Sequence, residues 1–148
     1  MTIQTIVLAV GPSDGDRADR LAEAVLELAV PTDAEVVLTH AFTEDEYDSA
    51  RTRLDFSNPN DATPGEVAGR QATIRALRKR FDDAGVDYQV RGTVGDHGPA
   101  IVDVAKGVDA DRVYVAGRKR SPTGKAVFGS TAQEVMLSAP CPVTFVRD

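Results

Sequence analysis

Five short apolar segments alternate with four segments of helical period along this chain, and that alternation restricts its fold more than any other feature. Ile3 to Val10 is the first apolar run, and Gly11-Pro12-Ser13-Asp14-Gly15 punctuates it. Ala18, Leu21, Ala22, Val25, Leu28 and Ala29 then recur at three- and four-residue spacing with Asp19, Glu23 and Glu27 opposite, so a helix is expected, ended by Pro31. Glu35 to Thr39 reads as a second strand. Val67, Ile74, Leu77 and Phe81 mark one face of a long helix closed by Gly85, and Val86 to Val90 follows as a third strand. Gly98-Pro99 sets a helix start, Ile101, Val102 and Ala105 share its apolar face, and Gly107 stops it. Val113 to Ala116 is a fourth strand ending at Gly117. Ser130 with Gln133 has the spacing of a capping box for a helix through about Ser138, which Pro140-Cys141-Pro142 halts before a fifth strand, Val143 to Val146.

Strands that alternate with helices imply βαβ crossovers, hence a mostly parallel sheet covered on both faces. The expected class is α/β, doubly wound. At 148 residues the chain is expected to be a single domain, 1–148, large enough to fold on one core without disulfides. Cys141 is the only cysteine, so no internal disulfide forms, and no Cys/His cluster has zinc spacing; no structural metal is expected. The apolar run at Ile6 to Val10 lacks a basic flank and a small-residue cleavage site, and nothing approaches a membrane span. A cytoplasmic protein without membrane association is expected. One connection, Ala41 to about Pro64, is oversized and acidic, with Glu44, Asp45, Glu46 and Asp48. Loops of such length serve as lids, binding loops or disordered inserts.

The formal net charge of −6 repels nucleic-acid backbones, so no nucleic-acid partner is expected. The acids are 16 Asp to 7 Glu and the bases 13 Arg to 4 Lys. That skew fits a salt-adapted, halophile-type surface and fits equally a GC-rich genome.

In open α/β sheets ligands bind beyond the carboxyl ends of the strands. Two glycine-rich loops belong there, the turn after the first strand and Gly117 to Thr131 after the fourth. The second holds Arg118, Lys119, Arg120 and Lys125 and no acid; residues 117–148 carry +3 where the first 116 carry −9. Glycines that admit the backbone, the hydroxyls of Ser130 and Thr131 and a helix N-terminus suit an anion such as phosphate. A solvated loop whose bases offset nearby carboxylates, with Ser130 as a cap, accounts for the same residues. The loop is not a Walker motif, since six residues separate Gly117 from Gly124 and Ala126 follows Lys125. Gly11 to Gly15 matches the G-x-S-x-G nucleophile elbow, but a base for Ser13 would have to come from His40 or His97 with a carboxylate behind it. Ser13 and Asp14 are read as turn and cap residues, His40 and His97 as structural, and Cys141 as a buried inert thiol. Asp14, Asp16 and Asp19 lack the glycine and distal glutamate of an EF-hand.

Taken together, Ile6 to Val10 with its serine-containing turn, Val94-Gly95-Asp96 through Pro99-Ala100-Ile101, Asp111 to Gly117, and Gly129-Ser130 to Ala139-Pro140-Cys141-Pro142-Val143 resemble the universal stress protein family over essentially the whole chain. The resemblance implies an adenine nucleotide alpha hydrolase-like fold with a five-stranded parallel sheet in the order 3-2-1-4-5. It further implies a homodimer paired through the C-terminal strand and, in some members, ATP or another nucleotide bound at the ends of strands 1 and 4 through G-2x-G-9x-G-[ST]. On this sequence Gly117 is the first glycine of that pattern, Gly129 the third and Ser130 the hydroxyl. Ala9, Val10 and Ala116 would flank adenine and ribose, and Thr131 would add a donor. The second glycine is replaced by Arg120, the spacing is one residue short, and Gly11 stands where the ATP-binding type has an aspartate, so weakened base recognition is expected. The resemblance implies a stress-response regulatory or protective protein without dedicated catalysis. The alternatives are a partner-binding dimer without ligand and a weak serine hydrolase using Ser13.

Overall fold

The computed structural model describes residues 2–12, 14–54, 62–117 and 129–147. Strand β1 (Thr5–Val10) is buried from Ile6 onward because both its faces are covered. Ile6, Leu8 and Val10 enter one apolar layer, Val7 and Ala9 the other, so the strand reads as a continuous apolar run rather than an alternation. A short 3-10 turn (Gly15–Arg17) leads into α1 (Ala18–Thr32). There follow β2 (Glu35–Phe42), α2 (Glu44–Arg53), α3 (Pro64–Gly69), α4 (Ala72–Ala84) and β3 (Tyr88–Val94). The chain closes with α5 (His97–Gly107), β4 (Arg112–Gly117), α6 (Ser130–Ser138) and β5 (Val143–Arg147). The five strands make one parallel sheet in the expected order, β3-β2-β1-β4-β5. Helices α1 and α4 cover one face around Leu21, Val25, Ile74, Leu77 and Phe81. Helices α5 and α6 cover the other around Ile101, Val102, Ala105 and Val135. The order reverses at β1, with β2 on one side and β4 on the other, which opens a crevice at the carboxyl ends of β1 and β4.

Several local expectations change. Pro31 does not end α1; it lies within the last turn, and the helix stops at Asp33, whose left-handed backbone (φ 55°) aims its N–H at the carbonyls of Ala29 and Val30. Strand β2 runs on to Phe42 because β3 pairs with it to the end, Ala41 opposite Thr93 and Phe42 opposite Val94. The acidic stretch expected as a loop is instead helix α2. Thr43 Oγ1 accepts from the Glu46 amide at 3.2 Å while the Glu46 carboxylate accepts from the Thr43 amide at 2.8 Å, a reciprocal capping box. Glu44, Asp45 and Glu46 then occupy the first turn, where the helix dipole favours negative charge.

The single long helix is two. Val67 and Ala68 of α3 pack with Phe42 and Ala50 in a small third core, whereas Ile74, Leu77 and Phe81 of α4 face the α1 layer. The apparent common face was a composite of two surfaces. Strand β3 starts later than Val86, because the Val86 amide is held by the Phe81 carbonyl (3.0 Å) behind left-handed Gly85 (φ 71°). At α6 the N-cap is Gly129, with no side-chain cap bond, and Ser130 is the first helical residue. The expected Ser130 capping box therefore does not form.

Candidate functional site

A pocket of about 140 Å³ opens at the reversal point. The end of β1 supplies Ala9 and Val10, followed by Gly11 and Pro12; β4 supplies Val115 and Ala116; the first turn of α6 supplies Thr131 and Ala132. On the opposite side, toward β2, the lining is Ala41 with His97 and Ile101 of α5. Asp14 also reaches the pocket and braces its turn. One carboxylate oxygen accepts from the Gly11 amide at 2.8 Å, and the other accepts from the Arg17 guanidinium at 2.8 Å. The glycine at position 11 thus has a carboxylate beside it, supplied from three residues downstream.

Of the residues expected at the site, Ala9, Val10, Gly11, Ala116 and Thr131 come together in this pocket. Gly117 is not among its lining residues. A Cβ there would lie 2.6 Å from the Phe145 ring, so close packing of β4 on β5 is what this glycine serves. Gly129 and Ser130 are exposed at the start of α6 and do not line the pocket either. Ser13, Arg118, Lys119, Arg120 and Lys125 lie outside the described residues.

Sequence reasoning treated the two histidines as separate structural residues, and the fold brings both to Glu46. His40, 1% exposed, stacks on Phe42 with ring centroids 4.2 Å apart. Burial holds its pKa down from 6.5 to about 4, the Glu46 charge opposing and His97 adding to the effect. Its Nδ1 is buried without a hydrogen-bond partner among the described residues. His97 Nε2 lies 2.6 Å from Glu46 Oε1. Burial tends to raise the Glu46 carboxyl, but hydrogen bonds from the Thr43 amide and His97 outweigh it and hold the group below its usual range. An ionised carboxylate only accepts, so the proton of this bond sits on His97 Nε2. The signal for this pair was the Thr43-x-x-Glu46 spacing, which places the carboxylate one turn into α2.

Behind Pro12 a second cavity of about 250 Å³ is lined by His40, Phe42, Asp45, Glu46 and Arg53. Cys141 is half-buried, and burial pushes its thiol up, which fits the inert role expected of it. Asp14 is engaged by Arg17 and Asp19 by Arg80 at 2.9 Å. Among the described residues no group of three or more His, Cys, Asp or Glu could hold a metal, and no helix is long and apolar enough to cross a membrane.

The universal stress protein family model matches residues 2–147. A universal stress protein of Methanothermobacter thermautotrophicus is 28% identical over 140 residues, 92% of each chain. One from Mycolicibacterium smegmatis is 30% identical over 79 residues, 53% of this chain; the match spans 61% of that protein, less than two thirds of its length. Among solved structures, a universal stress protein from Archaeoglobus fulgidus superposes with a TM-score of 0.69 at 27% identity, covering 97% of this chain and 98% of that one. Two others share the fold at lower identity. An Archaeoglobus fulgidus universal stress protein in complex with dAMP has a TM-score of 0.63 at 21% identity, with 99% of both chains covered. A universal stress protein in complex with cAMP has a TM-score of 0.66 at 22% identity, covering 99% of this chain and 98% of the other.

Proposed function

Because the chain belongs to the universal stress protein family, we propose that it is a nucleotide-binding regulatory or protective protein of the stress response, without dedicated catalysis. The observation that carries this reading is the pocket at the ends of β1 and β4, built from both sides of the sheet's reversal point. Phosphate would lie toward the first turn of α6, where free amides and Thr131 face the ligand. The base would lie on the far side of β1, between Ala41 and His97. The dAMP and cAMP complexes of its structural relatives support the ligand class. The basic run Arg118, Lys119, Arg120 and Lys125 would strengthen the phosphate end through charge-assisted bonds. Isothermal calorimetry at low salt should give measurable binding of ATP, weaker binding of AMP, and a loss of about tenfold or more for ATP in an Arg118→Ala, Lys125→Ala double variant. Adenosine binding as tightly as ATP, unchanged by the double variant, would exclude phosphate-led recognition.

A second reading rests on the His97–Glu46 pair. Serine hydrolysis through Ser13 requires a histidine with a carboxylate behind it, and this pair has that form, on the wall of the pocket that Pro12 and Asp14 also line. A fluorophosphonate added to the same preparation discriminates the two: nucleotide binding with Ser13 unlabelled supports the first reading, and covalent labelling of Ser13 the second.

The protein is also proposed to be a homodimer through β5, an edge of the sheet. The Val113 amide donates to the Pro142 carbonyl at 3.1 Å, and Val113 pairs with Val143. The alternation of a parallel ladder then turns the Thr144 and Val146 amides toward β4 and those of Val143 and Phe145 outward. Light scattering should give twice the 15.8 kDa chain mass. Phe145→Pro, which removes an outward donor, should shift the protein to monomer. A wild-type monomer at working concentration would end this proposal. The salt-adapted character of the surface and a cytoplasmic location remain part of the proposed reading.

A further inference from the structure

We infer that His97 reads the base of the bound nucleotide, presenting an acceptor nitrogen that selects a base with an exocyclic amine over one with a carbonyl at the same position. The inference rests on the nucleotide reading above and names the side chain that sets its specificity.

Three observations carry it. First, the sheet order fixes the direction of the ligand. Strand β4, which leads into α6, lies on one side of β1, while Ala41 lies in β2 on the other, and His97 is bonded to Glu46 of α2, the helix that follows β2. A ligand with phosphates at the α6 end therefore brings its base to His97. Second, the ring of His97 is oriented. Its Nε2 is 2.6 Å from Glu46 Oε1, and Glu46 is itself fixed by the Thr43 amide at 2.8 Å and by its place in the α2 capping box. Third, the carboxylate determines the tautomer. With the proton on Nε2, neutral His97 has a lone pair on Nδ1, and Nδ1 has no hydrogen-bond partner among the described residues.

An amine such as N6 of adenine donates to that lone pair. A carbonyl such as O6 of hypoxanthine opposes it with a second lone pair and leaves both acceptors unmatched. Gly11 supplies no side chain to the base, and Asp14 is engaged by the Gly11 amide and Arg17. His97 then takes over the discriminating contact, with Glu46 as its positioning residue.

AMP and IMP differ at C6 and isolate this contact. Calorimetry on the whole chain near pH 8 should give AMP about tenfold tighter than IMP, the scale of one unmatched polar pair. In His97→Ala the ratio should fall to within about twofold of unity, with a cooperative thermal transition retained. Glu46→Gln keeps an oxygen that can accept from both the Thr43 amide and His97 Nε2, the two bonds that Glu46 Oε1 now accepts, so the proton stays on Nε2. Its AMP/IMP ratio should stay within about twofold of the wild-type value. Equal binding of AMP and IMP by the wild type, or a full ratio retained in His97→Ala, would overturn this inference and leave nucleotide binding standing. Failure of both nucleotides to bind at millimolar concentration would overturn both readings.

Discussion

Replacing Gly92 by alanine should lower the thermal midpoint by about 10 °C, for the sake of one methyl group. A Cβ at this position of β3 would fall 1.9 Å from the carbonyl oxygen of Pro64 and 2.3 Å from its carbonyl carbon. Both are backbone atoms of the first turn of α3, which cannot swing aside as a side-chain end does. Relief requires α3 to move off β3, and α3 carries Val67 and Ala68, which close the small core around Phe42 and Ala50. Overpacking of this kind costs about 3 kcal/mol, and for a domain of this size each kcal/mol is worth roughly 2–4 °C. Gly98→Ala is the matched control. Its new Cβ would lie 2.4 Å from Oε2 and 2.8 Å from Cδ of Glu134, with the Glu134 Cβ at 3.0 Å, all on an exposed side chain whose carboxylate end can swing aside. In helix α5 the alanine gains in helix propensity, so its midpoint should fall far less than that of Gly92→Ala. Circular dichroism melts of the two variants test the claim, and a Gly92→Ala midpoint within 2 °C of wild type would refute it.

The same local geometry explains what the sequence could and could not reveal. The sheet was legible because a buried parallel strand needs unbroken apolar residues, and Ile6 to Val10 and Val113 to Ala116 have them. The strand order came from family resemblance, not from any residue pattern. Helix α2 was not legible from apolar periodicity, since its buried face amounts to Ala50 and its sequence is dominated by acids; only the Thr43 and Glu46 spacing announced it. The join of α3 and α4 was misread because Val67 and Ile74 have compatible spacing but serve different cores. At the site, Thr131 follows from loop chemistry, whereas Ala9, Val10, Gly11 and Ala116 came from the family resemblance. His97 and Glu46 follow from neither, because their pairing joins helices on two different elements far apart in the chain.

Acid should destabilise the protein well above the carboxylate range, and His40 should be the main reason. In the unfolded chain its imidazole titrates at its ordinary 6.5; in the folded protein burial beside Phe42 keeps it neutral down to about 4. The folded pKa is thus the depressed one. The neutral ring's contribution is complete above pH 6.5, shrinks as pH falls and is gone below about 4. Each unit of that interval is worth about 1.4 kcal/mol, so roughly 3 kcal/mol is lost from end to end. Glu46 and Asp111, whose carboxyls also lie below their usual values, lose their contributions only at lower pH, beneath 4.5 and 3.8. The interval from 6.5 to 4.5 therefore belongs to His40 rather than to them. Replacing His40 by leucine removes the titrating group and the unpartnered Nδ1 together. Urea unfolding at pH 7.5, 5.5 and 4.5 should show wild-type stability falling by roughly 2–3 kcal/mol more than that of His40→Leu across the series. Parallel losses in the two proteins would mean that His40 is already protonated in the fold, or that the pocket admits water to it on acidification.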